Sequence, residues 1–219
     1  MEKLIENLKN PFDGLQPNDE KGFIGKCSEL AEELFNNYCI QCNKIEYYFA
    51  EIEFYYYEKG KWEEEWNQVT YARTGYAAGD LFYHLSGIDV CFDSHYDETS
   101  ARFGGFLIRA IKKEDNTIVA GPYTCKDELL NACKGCSMPR LSKQMKVKRL
   151  KPKVLSTIRS LGDKDMKEKN IDGNYELCFY DGNINREEWN PKKSRYGTSQ
   201  GKIVPSYGSY KTNRFKFGQ

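Results

Sequence analysis

The chain has 219 residues, 39% of them hydrophobic and 30% charged, a balance that excludes disorder and collagen-like repetition and predicts one domain with a real core. Lys and Arg number 33 against 32 Asp and Glu, so a formal net charge of +1 signals neither a global affinity for nucleic acid nor an acidic tail. The balance is not local: residues 1–133 carry 13 basic and 24 acidic side chains, net −11, and residues 134–219 carry 20 and 8, net +12.

The start, MEKLIENLKN, lacks the positive-then-apolar order of a signal peptide, and no run of 18 apolar residues exists; a cytoplasmic protein, or a nuclear one if eukaryotic, without a membrane span is expected. Up to residue 18, Pro11, Gly14 and Pro17 read as a loose N-terminal arm. Ile24, Cys27, Leu30, Ala31, Leu34 and Tyr38 then recur at three- and four-residue steps, which predicts a helix over 20–38 with one buried face. The Ile-, Tyr- and Phe-rich stretch 44–57 predicts a long strand. Strict alternation along it would put Ile45, Tyr47, Phe49, Glu51, Glu53 and Tyr55 on one face and Tyr48, Ala50, Ile52, Phe54 and Tyr56 on the other.

The acidic, Trp-flanked run 62–66 reads as an excursion ended by turns at Gly75 and Gly79. Short strands are expected over 81–84 and 88–92, a polar stretch over 93–102, a buried strand over 103–111 and another short strand over 117–120, which Gly121-Pro122 breaks. Thr124 with Asp127 and Glu128 marks a helix start. Residues 134–169 read as a basic insertion, 175–180 resumes a strand pattern, and Ile203, Tyr207, Tyr210, Phe215 and Phe217 suggest a C-terminal segment that packs back on the core.

Two C-x-x-C pairs, Cys39/Cys42 and Cys133/Cys136, stand roughly 90 positions apart, outside the compact spacing of a zinc module; separate reduced thiols are the plainer reading and a zinc-stabilised interaction protein the sharper one. Glu51 and Glu53 are the first candidates for chemistry, because a carboxylate among Phe49, Ile52, Phe54 and Tyr55 is costly to desolvate without a partner or a task. Arg109, sharing a predicted strand face with Leu107 and Ile111, calls for a carboxylate of its own, and a purely structural Arg–Glu pair is the alternative. His84 and His95 each fit a structural or exposed role as well as a chemical one.

Ala50-Glu51-Ile52-Glu53-Phe54-Tyr55 resembles the V-E-T-E-A-Y strand of the methylpurine (3-methyladenine, alkyladenine) DNA glycosylase family. The stretch from Gly79 through Tyr83, His84 and Gly87 to Cys91 is similar to its G-x-x-Y-V-Y-x-x-Y-G-x-x-x-C strand pair. Phe106-Leu107-Ile108-Arg109-Ala110-Ile111 resembles its V-L-[LI]-R-A-L strand, and Asn213-Arg214-Phe215 its terminal P-W-R-F. The resemblance rests on the collinear order of these segments. It implies Glu53 as the general base that activates water, Tyr55 and Tyr83 as walls stacking on a flipped base, and Arg109 on the water and phosphate side. Glu51, His84 and Asp93 would line the substrate. Ser86 stands where the family places an intercalating Tyr, Asp93 aligns with its pocket-floor Asn, and no His lies between Tyr57 and Asp80 where the family has one.

The expectation is therefore an α+β single domain over 1–219, with a mixed, largely antiparallel sheet curled as an open barrel and helices around it. Its function would be hydrolysis of the N-glycosidic bond of a damaged or alkylated purine in DNA, that is, base excision repair, by a monomer without metal or organic cofactor. A noncatalytic nucleic-acid-binding protein of similar fold is the runner-up. Lys146, Lys148, Arg149 and Lys151, in the basic half, are the candidate phosphate contacts.

Overall fold

Leu4 and Leu8, four residues apart, are fully buried, so the chain opens with a helix, α1 (Glu2–Lys9), docked by its apolar stripe. The loose arm expected here is thereby corrected: the breakers begin only at Pro11, after the helix has ended, and even there Phe12 is buried and stacks on Phe23 at 4.4 Å. The computed structural model describes residues 1–17, 19–62, 75–85, 87–97 and 99–145 and the strand segments 176–179 and 206–210. Helix α2 (Glu20–Asn37) follows, its Asp19 side chain accepting the Gly22 amide at 2.8 Å as an N-cap. Its buried stripe is Phe23, Cys27, Leu30, Ala31, Leu34 and Phe35, one residue out of phase at its start from the expected Ile24.

Strands β1 (Tyr38–Cys42) and β2 (Ile45–Glu58) form a hairpin, and β2 is the long aromatic strand of the sequence. Then come β3 (Leu81–His84), β4 (Gly87–Cys91), the two-residue β5 (His95–Tyr96), β6 (Ala101–Lys112) and β7 (Ile118–Ala120). Helix α3 (Pro122–Cys133) begins at Pro122, two residues before the expected Thr124. A proline at the first helical position lacks only an amide that has no partner there, and its fixed φ suits a helix, so Gly121-Pro122 starts this helix as well as ending β7. Strands β8 (Arg140–Lys143), β9 (Glu176–Phe179) and β10 (Ser206–Tyr210) complete the described elements.

The sheet runs β3-β4-β6-β2-β1-β8, and β10, itself paired with β9, joins β2 at Glu51–Glu53. Every pairing among the described strands is antiparallel. The protein is an α+β single domain in which this sheet curls into an open half-barrel with helices packed against it. Tyr47, Phe49, Ile52, Phe54 and Tyr56 of β2 join Phe106, Ile108 and Ile111 of β6 and the apolar residues of α1, α2 and α3 in one core. Tight strand approach is secured by Gly104 and Gly105, where a Cβ would stand 2.5 Å from the carbonyl oxygens of Tyr55 and Val90 respectively. The described part of the basic stretch expected over 134–169 includes β8, which pairs with β1; Lys146, Lys148, Arg149 and Lys151 lie outside the described residues, as does Ser86. Among the described residues no helix is long and apolar enough to cross a membrane.

Candidate active site

Two compensating irregularities in the β2–β6 ladder create the site. Phe49 pairs with Ile111 and Glu51 with Ala110, leaving Ala50 as an extra residue on β2; Glu51 and Ile52 then pair with Ala110 and Ile108, leaving Arg109 extra on β6. Each bulge shifts the side-chain alternation by one residue. Phe49 therefore shares the core with Ile52, Phe54 and Tyr56, and Glu51 and Glu53 lie on the opposite face. The unbroken alternation expected from sequence, with Phe49 and Glu51 on one face, is corrected by these bulges, as is the grouping of Arg109 with Ile111.

Arg109 Nη1 donates to Glu53 Oε2, and its Nε stands 3.4 Å from Glu51 Oε1. All three are buried, Glu51 completely. Burial opposes the charge of the guanidinium, but the carboxylates of Glu53 and Glu51 outweigh it and hold Arg109 above the usual arginine range. Desolvating these ions costs several kcal/mol each, of the order repaid only by close pairing. With both carboxyl groups ionised the trio carries a net negative charge, the sign that stabilises a cation developing beside it. The Tyr55 hydroxyl is in hydrogen-bonding contact with Glu53, and burial, reinforced by that carboxylate, pushes its pKa well up. The half-buried Tyr55 ring packs with Phe82 against a second small cluster, Tyr57, Ala101 and Phe103.

The same face continues across the sheet, where Glu53 pairs with Leu107 and Leu107 with Asp89, one row over three strands. Asp89 is fully buried and pairs with Phe82, and its Oδ2 lies 3.0 Å from His84 Nε2. The rings of Phe82 and His84 stack at 5.6 Å with 18° between planes. Gly87 has no side chain because Leu107 Cδ1 and Pro122 Cβ would meet it at 2.8 and 2.9 Å, and that space lets Leu107 lie against β4. At the end of β3, Lys126 Nζ from α3 donates to the His84 and Leu85 carbonyls at 3.0 and 2.8 Å, leaving the Leu85 side chain 86% exposed. Tyr123, also exposed, lies beneath the same ammonium at 4.7 Å.

The structure thus brings Glu51, Glu53, Arg109 and Tyr55 together, with His84 joined to them through the Asp89 row. Tyr83 is not among them. It pairs with Ile88 and packs on the helix-side core, where burial and then the neighbouring Cys133 and Cys42 raise its hydroxyl to about 12. Strand alternation puts Phe82 on the carboxylate face instead. Asp93 is elsewhere too: its carboxylate accepts the Ala78 amide at 3.3 Å and its own amide donates to the Leu8 carbonyl at 3.1 Å, a tie between α1 and the turn before β3. Sequence reasoning missed Asp89 and Phe82, although an Asp between Ile88 and Val90 poses the same desolvation problem that drew attention to Glu51.

One thiol from each C-x-x-C pair meets the other: Cys42 is in hydrogen-bonding contact with Cys133 and donates to the Leu129 carbonyl at 3.4 Å, and burial drives its pKa well up. Cys39 faces the Lys143 carbonyl at 3.8 Å and Cys136 is exposed, so the four do not converge. Among the described residues no group of three or more His, Cys, Asp or Glu side chains could hold a metal ion. In comparisons with known proteins, no family model, no curated protein and no solved structure matches the chain.

Proposed function

We propose that this protein hydrolyses the N-glycosidic bond of a damaged or alkylated purine in DNA, with Glu53 as the base that activates water. The observation that carries this reading is a buried pair of carboxyl groups on one guanidinium, bordered by the half-exposed Tyr55, Phe82 and His84. Cleavage of such a bond develops positive charge on the sugar. A carboxylate beside the anomeric carbon stabilises that charge and takes the proton of the attacking water. Arg109 donates to Glu53 and offsets the cost of burying its carboxylate, and the Tyr55 hydroxyl orients it. The motif resemblance, residue by residue, points to the same Glu53, Tyr55 and Arg109. Phe82 takes the place expected of Tyr83 as the aromatic surface on this face, where an extruded base recovers stacking energy.

The test is single-turnover release of 3-methyladenine, 7-methylguanine or hypoxanthine from DNA by the wild type, Glu53→Gln and Glu51→Gln. Glu53→Gln keeps shape and removes charge, so it should lose about 10²- to 10⁴-fold in rate, the contribution of a general base, and keep its binding to the lesion strand. Glu51→Gln should lose less, since Glu51 holds Arg109 from its Nε side. Full activity in Glu53→Gln would remove that residue from the chemistry. Release of no base by the wild type would favour a noncatalytic DNA-binding protein.

A further inference from the structure

We infer that Cys42 and Cys133 close a reversible disulfide between β1 and α3, and that the exposed Cys136 is the thiol through which a small disulfide such as oxidised glutathione reaches them. The inference does not depend on the reading of Glu53. Cys39 and Cys42 are three residues apart on a strand, so their side chains leave opposite faces of the sheet and only Cys42 turns toward α3. There it donates to the Leu129 carbonyl at 3.4 Å and is in hydrogen-bonding contact with Cys133. The surrounding backbone is fixed by Asn43, which has a φ of 55° in the tight turn between β1 and β2. Its side-chain amide donates to the Ala132 carbonyl at 3.0 Å, and its side-chain oxygen accepts the Ser137 hydroxyl at 2.7 Å. Asn43, Ala132 and Ser137 adjoin Cys42, Cys133 and Cys136 in turn, so one side chain ties together the segments that carry the three thiols.

The second C-x-x-C pair joins the buried thiol to the surface. Helix α3 ends at Cys133, Lys134 and Gly135 take positive φ values of 49° and 70°, and the Cys136 amide donates to the Cys133 carbonyl at 2.9 Å. The exposed Cys136 thiol donates to the Lys134 carbonyl at 3.6 Å, one turn from its buried partner. Cys42 and Cys133 are 0% and 1% exposed, so an external disulfide cannot line up with either. Burial also holds the Cys42 thiol well above the usual range, and a thiol attacks only as its thiolate. Cys136 therefore takes the first step: its thiolate attacks the small disulfide, forming a mixed disulfide and releasing one small thiolate. Cys133 then attacks Cys136 Sγ and expels the second small thiolate. Cys42 attacks Cys133 Sγ, which frees Cys136 as a thiolate again. Overall Cys42 and Cys133 lose two electrons and two protons, and the small disulfide takes them up as two thiols. The product is uncharged and has no donor to satisfy, which suits a dry site.

The test incubates the full, native chain with oxidised glutathione, quenches samples with N-ethylmaleimide over time and maps the peptides by mass without reduction. The wild type should give a linked Cys42–Cys133 peptide with Cys136 alkylated, and dithiothreitol should return all three thiols. Cys136→Ser, a conservative change at an exposed position, should slow that link by about 10-fold or more without preventing it. The link joins positions roughly 90 apart and constrains the unfolded chain, so the oxidised wild type should unfold at a higher urea midpoint than the reduced one. A link that is absent from the native chain or forms only in urea overturns the inference. So does an unchanged rate in Cys136→Ser, which removes Cys136 from the path, or a lower midpoint on oxidation, which marks the link as a distortion of the fold.

Discussion

Arg109 is the residue on which most of the site depends. Its backbone is the extra position of a β6 bulge, its carbonyl accepts the Gly121 amide at 2.8 Å at the start of α3, and its guanidinium faces two buried carboxyl groups. Removing one partner of a buried ion pair leaves uncompensated charge, so Arg109→Met should destabilise the fold by about 3–5 kcal/mol. Replacing the set with neutral groups of similar shape removes that penalty, so Glu51→Gln/Glu53→Gln/Arg109→Met should recover most of the loss. Urea midpoints of the wild type, the single and the triple variant measure this directly. A triple variant no more stable than Arg109→Met would mean that the carboxyl groups are not the reason Arg109 is needed.

Among the elements, those with a sustained period are legible in the sequence and those defined by a single inserted residue are not. Helix α2 repeats its apolar residues over four turns, and β2 is aromatic for most of its length, so both can be read within a residue or two. The bulges at Ala50 and Arg109 leave no trace in composition: Ala50 is an ordinary strand residue, and only the partner strand's register reveals that it is the extra one. The carboxylates and Arg109 stand out because charge among apolar neighbours is visible in one dimension. Phe82 and Tyr83 cannot be told apart that way, because choosing between adjacent aromatics requires knowing which face of β3 meets the core. Helix α1 is hidden by Pro11, Gly14 and Pro17, whose turn signal outweighs the single Leu4/Leu8 step. Since Leu8 is fully buried, Leu8→Ala should cost about 2–5 kcal/mol in urea unfolding. Glu6→Ala on the exposed side, where Glu6 pairs with Lys9, should stay within about 0.5 kcal/mol. Equal, small effects would mean that the helix is not docked in solution.

At the scale of the whole molecule, the charge distribution bears on how DNA would be held. The site sits in the acidic part of the chain, since Glu51, Glu53, Asp89 and most of their neighbours belong to residues 1–133 with their net −11. A polyanion approaching such a surface is repelled unless a separate basic region offsets the field, and residues 134–219, net +12, are the sizeable reserve. Strand β10 belongs to that half and pairs with Glu51–Glu53 of β2, so the fold ties the basic part of the chain to the central strand of the site. Binding should therefore divide its labour, with the basic half holding phosphates and the carboxylate face acting on the base. Replacing Lys146, Lys148, Arg149 and Lys151 together by Gln should weaken duplex binding at low salt and flatten the dependence of log K on log salt, by about 0.9 for each phosphate that is no longer neutralised. Glu53→Gln, which touches no phosphate in this reading, should leave that slope unchanged. Measured over a salt series with one lesion-free duplex, an unaltered slope in the fourfold variant would put the phosphate footprint on other side chains, with Lys126 beside the exposed Leu85 and Tyr123 the next to neutralise.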